Sequence, residues 1–86
     1  MIKRTVTVGS SFETRSVALL VQTASKFSSR IYIKADDKNV NAKSIMGILS
    51  MGITDGQELQ LIAEGSDERQ AIPALEQFFL TDIDKG

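Results

Sequence analysis

The chain contains no histidine, no cysteine and no tryptophan, and only one proline, Pro73. Without histidine there is no Ser-His or Cys-His catalytic pair, no imidazole metal ligand and no phosphohistidine. Without cysteine there are no disulfides and no thiolate chemistry, consistent with a reducing cytosol. Neither sign of charge is in excess: Lys+Arg total 10 and Asp+Glu 11, a net charge of −1, which argues against direct nucleic-acid binding. No glycine-rich phosphate loop occurs. The longest apolar run, Val17-Ala18-Leu19-Leu20-Val21, is far too short to span a bilayer. The opening MIKRTVTV alternates and lacks the apolar stretch of a signal peptide. A soluble, cytoplasmic protein with no membrane contact is therefore expected. Asp36, Asp37, Asp67, Glu68, Asp82 and Asp84 are scattered and read as solvated surface, so neither a metal site nor a cofactor is expected.

What is present is an ordinary globular composition. The 86 residues are 42% hydrophobic, which predicts one domain over residues 1–86 rather than disorder. A chain this short buries only about 60–65% of its unfolded surface, so its stability is modest. Ile2, Val6 and Val8 share one side of a half-buried strand, with Arg4 the exception. Gly9-Ser10-Ser11 breaks it. From Thr14, a plausible N-cap, to about Phe27 the residues Val17, Leu20, Val21, Ala24 and Phe27 form a helical stripe. Ser28 and Ser29 make a turn. Arg30 to Ala35 alternates, with Ile31, Ile33 and Ala35 inward and Tyr32 out of phase. Asp36-Asp37-Lys38 connects it to a short strand, Asn39 to Ala42.

Gln57 to Ala63 reads as a further strand, with Leu59, Leu61 and Ala63 on one side. Gly65 to Arg69 offers competing helix caps. A last helix follows, with a stripe of Ala71, Ile72, Ala74, Leu75, Phe78 and Phe79. Pro73 lies inside it and should kink the helix or delay its regular start. The tail from Thr81 to Gly86 is polar. The order β-α-β-β-α-β-α is an α+β arrangement, with helices on one face of the sheet. Alternation rather than continuous apolar runs favours antiparallel pairing.

The most informative stretch is Asn41 to Ile53, NAKSIMGILSMGI. Ser44 precedes a short apolar helix beginning at Ile45 and can cap it through its hydroxyl. Ile45, Met46, Ile48 and Leu49 cover about 160° of the helix surface, and Met51 widens the arc. A helix this short buries only one side, so apolar surface should remain exposed beside Ser44, as at docking sites. Gly52 should end the helix, followed by a turn at Thr54-Asp55-Gly56.

The Ala42-Lys43-Ser44-Ile45-Met46-Gly47 run resembles the regulatory serine region of the HPr family of the bacterial sugar phosphotransferase system, whose branches include HPr and Crh. The resemblance extends from the first strand to about Leu80. It implies an open-faced β-sandwich with an antiparallel sheet in strand order 1-4-2-3. It also places the family's regulatory serine, phosphorylated with ATP by an HPr kinase/phosphorylase, on Ser44. The alternative that Ser44 is only an N-cap stays open, and the two are compatible. A phosphate at a helix N-terminus is favoured by free N–H groups and the helix dipole.

The family's second signature, Gly, Leu, active-site His, Ser or Thr, Arg, Pro, Ala, aligns with Ser11-Phe12-Glu13-Thr14-Arg15-Ser16-Val17. The Thr and Arg are retained, but the phosphohistidine position is Glu13. A carboxylate can form an acyl phosphate, yet relay partners are built to meet an imidazole. Glu13 is thus a solvated carboxylate near a helix start, or a fixed negative charge imitating the phosphorylated imidazole. The loss of His moves the chain toward Crh. The resemblance then implies a regulatory, non-catalytic protein in catabolite repression. Arg15, Lys43, Ile45, Met46 and Leu49 form its docking surface, and a CcpA-type transcriptional regulator is a candidate partner. The alternatives are a phosphocarrier in the relay and a divergent domain used only for binding. A monomer and a homodimer exchanging the first strand are both compatible with the sequence.

Overall fold

The computed structural model describes residues 1–9 and 14–81, with side chains through Phe79. Residues 10–13, which include Ser11 and Glu13, and the tail beyond Thr81 lie outside the described residues. The elements are β1 (Ile2–Thr7), α1 (Thr14–Ser25), β2 (Arg30–Ala35), β3 (Lys38–Asn41), α2 (Ile45–Met51), β4 (Glu58–Glu64) and α3 (Glu68–Thr81). The four strands form one antiparallel sheet in the order β1-β4-β2-β3. This is the α+β, open-faced arrangement implied by the family resemblance.

Alternation decides which face of the sheet is covered. Ile31, Ile33, Ala35, Leu59, Leu61 and Ala63 are all buried on the helix side. Register aligns them: Ile33 lies between Val40 and Leu61, and Ile31 faces Ala63. From the helices, Val17, Leu20 and Ala24 of α1, Ile48 and Met51 of α2, and Ala71, Ile72, Leu75, Phe78 and Phe79 of α3 complete the core. The Phe78 and Phe79 rings meet edge to face, with centroids 5.3 Å apart. On the open face, the out-of-phase Tyr32 is half-buried, in a cross-strand row with Ile62 and Asn41.

Several boundaries differ from the sequence expectation. Thr14 is already the first helical residue, not the cap before it. The α-helical turns of α1 stop at Ser25. Lys26 and Phe27 follow in a tighter turn, their N–H groups donating to Thr23 and Ala24 carbonyls at 3.3 and 3.2 Å. β3 begins at Lys38, because the hairpin needs only Asp36 and Asp37. Asp36 takes the positive φ of 55° that a tight reversal demands. Ala42 lies past β3 but is fully buried, and its N–H donates to the Ile31 carbonyl at 2.9 Å. β4 runs one residue beyond Ala63, to Glu64.

Pro73 neither delays nor divides α3, which is continuous from Glu68. Its ring is exposed, and the only intrahelical donor it removes is its own N–H. The start of α3 is set instead by Asp67, whose carbonyl accepts the Ala71 N–H at 3.0 Å.

Asp67 and Glu68 are not solvated surface carboxylates. Asp67 Oδ2 accepts the Ser28 N–H at 2.8 Å, and Oδ1 accepts the Ser29 N–H at 2.9 Å and the Ser29 hydroxyl. These bonds hold the Asp67 carboxyl below its ordinary range, the Ser29 hydroxyl contributing most. Glu68 Oε1 accepts the Gly65 N–H at 3.0 Å, and Oε2 pairs with the Met1 amino group at 3.0 Å. Both lower its pKa, the Gly65 bond first. Ser29 is buried so closely against Gly65 that no side chain fits at position 65.

Candidate functional site

Ser44 sits where extended backbone becomes helix, at φ −112° and ψ 112°. Its Oγ accepts the Gly47 N–H at 3.0 Å and its carbonyl accepts the Ile48 N–H at 3.1 Å. The hydroxyl therefore caps α2 as its position before the apolar run predicts. At the other end Gly52 adopts φ 67° and ψ 50°, and its N–H closes on the Leu49 carbonyl at 3.3 Å. Only glycine takes this left-handed conformation at little cost. Met51 is buried, 4% exposed, and anchors the last turn before Gly52. Gly47 lies directly beside the cap: a Cβ there would stand 3.3 Å from Ser44 Oγ and 3.4 Å from Val40 Cβ.

α2 divides as its arc of apolar residues requires. Ile48 and Met51 enter the core, while Ile45, Met46 and Leu49 are 46%, 76% and 45% exposed. These three exposed side chains lie within five residues of Ser44, on the helix that its half-buried hydroxyl caps. Arg15 is exposed on the first turn of α1, and α1 packs against α2. Lys43 behaves differently from the other candidate docking residues. Its side chain is half-buried and Nζ donates to the Phe27 carbonyl at 2.6 Å, while its N–H donates to Asn41 Oδ1 at 2.8 Å.

Leu19 is a further exposed apolar residue, at 40%, that the periodicity reading did not single out. Its position opposite the Val17–Leu20–Ala24 stripe was the available signal. A surface hollow of about 440 Å³ is lined by Thr5, Lys34, Asp36, Gln57, Glu58 and Gln60. None of these belongs to α2 or its cap. No group of three or more metal-ligating side chains occurs among the described residues, and no described helix is long and apolar enough to cross a membrane.

The capped serine with its exposed apolar neighbours can act as a nucleophile toward an external phosphoryl donor and as a docking surface. A family model described as "PTS HPr component phosphorylation site" matches residues 2–81.

The chain belongs to the HPr family. It is 51% identical over 63 residues to the HPr-like protein Crh of Halalkalibacterium halodurans, covering 73% of this chain and 75% of that one. Among solved structures it resembles HPr from Thermoanaerobacter tengcongensis, with a TM-score of 0.92 and 44% identity over 100% of this chain and 99% of that one. It also resembles Crh of Bacillus subtilis, described as a dimer with a swapping domain. There the TM-score is 0.77 and the identity 38%, over 91% of this chain and 87% of the other. HPr-family proteins carry phosphate and interact with other proteins rather than act as catalysts, and the Bacillus subtilis Crh is described as a catabolite repression protein.

Proposed function

We propose that this HPr-family chain is a Crh-like regulatory protein, a single cytoplasmic domain that joins the phosphotransferase system to carbon catabolite control. In this reading an HPr kinase/phosphorylase phosphorylates Ser44. Ser44 Oγ attacks the γ-phosphorus of ATP, ADP departs, and the hydroxyl proton passes to a base of the kinase. The phosphoserine adds about −1.5 to −2 charges. Together with Ile45, Met46 and Leu49 it docks on a CcpA-type transcriptional regulator. An Arg/Lys pocket would take the phosphate while the apolar side chains supply buried area. Arg15 and Lys43 flank the surface. The chain itself contacts neither nucleic acid nor membrane.

The observation that carries this reading is the Ser44 cap with three exposed apolar side chains beside it. The missing histidine supports regulation over relay. The likeness to an HPr supports the relay alternative, in which another group would have to carry phosphate. Glu13 is assigned the role of a fixed negative charge where a phosphohistidine would sit. If Glu13→Gln changes no partner affinity, that role is wrong. A homodimer exchanging β1 is proposed from the swapped Crh structure and is checked by light scattering across a concentration series.

Calorimetric titration into a CcpA-type regulator tests the docking. Binding is expected only for the Ser44-phosphorylated chain. Equal affinity of phosphorylated and unphosphorylated chains would leave a domain used for binding alone.

A further inference from the structure

The Lys43 ammonium, next to the proposed phosphoserine, points into the protein. Nζ reaches the Phe27 carbonyl at 2.6 Å. Phe27 closes the turn that finishes α1, through its own N–H to Ala24 and the Lys26 N–H to Thr23. No basic residue lies in the last turn of α1, so Lys43 brings a cation to this carbonyl end from outside the helix. The adjoining Ser28 and Ser29 are held separately by Asp67. Segment 26–29 is thus fastened by an ammonium from the β3–α2 connection and by a carboxylate from the start of α3.

We infer that Lys43 is a positioning residue that transmits the charge state of Ser44 to the end of α1. The inference rests on the reading of Ser44 as a phosphorylation site. Consecutive Cα atoms are about 3.8 Å apart, and a lysine side chain turning about its own Cα can serve either acceptor. A phosphate with three acceptor oxygens attracts an ammonium more strongly than a neutral carbonyl does. On phosphorylation Lys43 leaves the Phe27 carbonyl for the phosphate. The turn closing α1 loosens, while Asp67 keeps its hold on Ser28 and Ser29. Arg15 and Leu19 ride on α1, and Ile45, Met46 and Leu49 ride on α2. Releasing this tie changes how the two helices are held together, so a partner meets a changed surface as well as a new charge.

The test uses the full chain with phosphoserine installed at position 44 during synthesis, so no kinase is involved. Failure of a kinase to modify Ser44 would refute the functional reading and leave this test intact. Amide hydrogen exchange is followed by NMR in the serine and phosphoserine forms, each with Lys43 and with Lys43→Met. Phosphoserine is expected to speed exchange at Lys26 and Phe27 about ten-fold, the scale of one hydrogen bond to a charged group. Lys43→Met should give the same acceleration without phosphate, and phosphate should then add nothing further. Ser28 and Ser29 should change less than about two-fold, because Asp67 still holds them. Unchanged exchange at Lys26 and Phe27 in the phosphoserine form would overturn the inference. So would an equal acceleration by phosphate in the Lys43→Met background. If Lys43→Met fails to fold, the Lys43→Gln pair supplies the comparison: its neutral amide can still donate a hydrogen bond but brings no charge to the phosphate, so phosphate should speed exchange at Lys26 and Phe27 less than in the parent.

Discussion

Replacing Gly65 by alanine puts a methyl group where Ser29 already stands. The new Cβ would lie 2.6 Å from Ser29 Oγ, 2.7 Å from its Cα and 2.9 Å from its Cβ. Ser29 has little room to yield, being 1% exposed and held by Asp67 through its N–H and its hydroxyl. Gly65 cannot easily retreat either, since its N–H is bonded to Glu68. Forced overpacking of this kind costs about 1–3 kcal/mol, and the φ of 155° at position 65 adds strain for any residue with a side chain. For a domain of this size each kcal/mol lowers the Tm by about 4–8 °C. With an m-value of about 1 kcal/mol/M, the urea midpoint falls by about 1–3 M. Total stability is about 4–13 kcal/mol, so the variant should remain folded at 25 °C and give a complete unfolding curve. Adding Ser29→Gly takes away the Oγ and Cβ atoms that crowd the new methyl group. It leaves the Ser29 backbone in the way and deletes the hydroxyl bond to Asp67, so rescue should be partial. A Gly65→Ala protein within about 0.5 kcal/mol of the parent, with an unchanged m-value, would refute the close-approach argument.

Other perturbations separate the structural and functional roles of neighbouring residues. Ser44→Ala loses the Gly47 bond and should lower stability by about 1 kcal/mol, with far-UV circular dichroism unchanged; wholesale unfolding would make Ser44 chiefly a structural cap. Met46→Asp, at a residue 76% exposed, should leave stability within about 0.5 kcal/mol yet weaken regulator binding by the phosphorylated chain about ten-fold or more, read by calorimetry. Asp67 and Glu68 have carboxyls lowered from ordinary values of 3.8 and 4.5. Lowered folded-state pKa values mean that the unfolded chain binds protons first as the pH falls. Their stabilisation is thus complete above about pH 4.5 and lost progressively below it. Urea midpoints between about pH 7 and pH 3 should show this decline, and Asp67→Asn should start lower and fall less steeply.

Period and turn chemistry made most of the architecture legible. The alternation of Ile31, Ile33 and Ala35, the α1 stripe and the Gly52 stop are local signals, and each element forms where its pattern points. Boundaries shifted where a local pattern met a tertiary demand. The tighter turn at Lys26 and Phe27 ends α1 at Ser25, and the two-residue hairpin at Asp36-Asp37 draws Lys38 into β3. The Asp67 clamp was not legible, because its partners Ser28 and Ser29 are 39 and 38 residues away in sequence. A single carboxylate among polar neighbours carries no mark of such a distant bond. Lys43 illustrates the same limit at the candidate site. Its place beside Ser44 suggested a docking cation, whereas its half-buried side chain serves the end of α1. The exposed arc of Ile45, Met46 and Leu49 was legible because a short helix cannot bury an apolar surface so wide.

The central claim is that Ser44, and not a relay group, receives the phosphate. Intact-protein mass spectrometry after two incubations tests it most directly, one with ATP and an HPr kinase/phosphorylase, the other with phosphoenolpyruvate and enzyme I. One added phosphate with ATP alone, absent in Ser44→Ala, is the predicted result. Phosphate gained from phosphoenolpyruvate, or none gained with ATP, would contradict the claim.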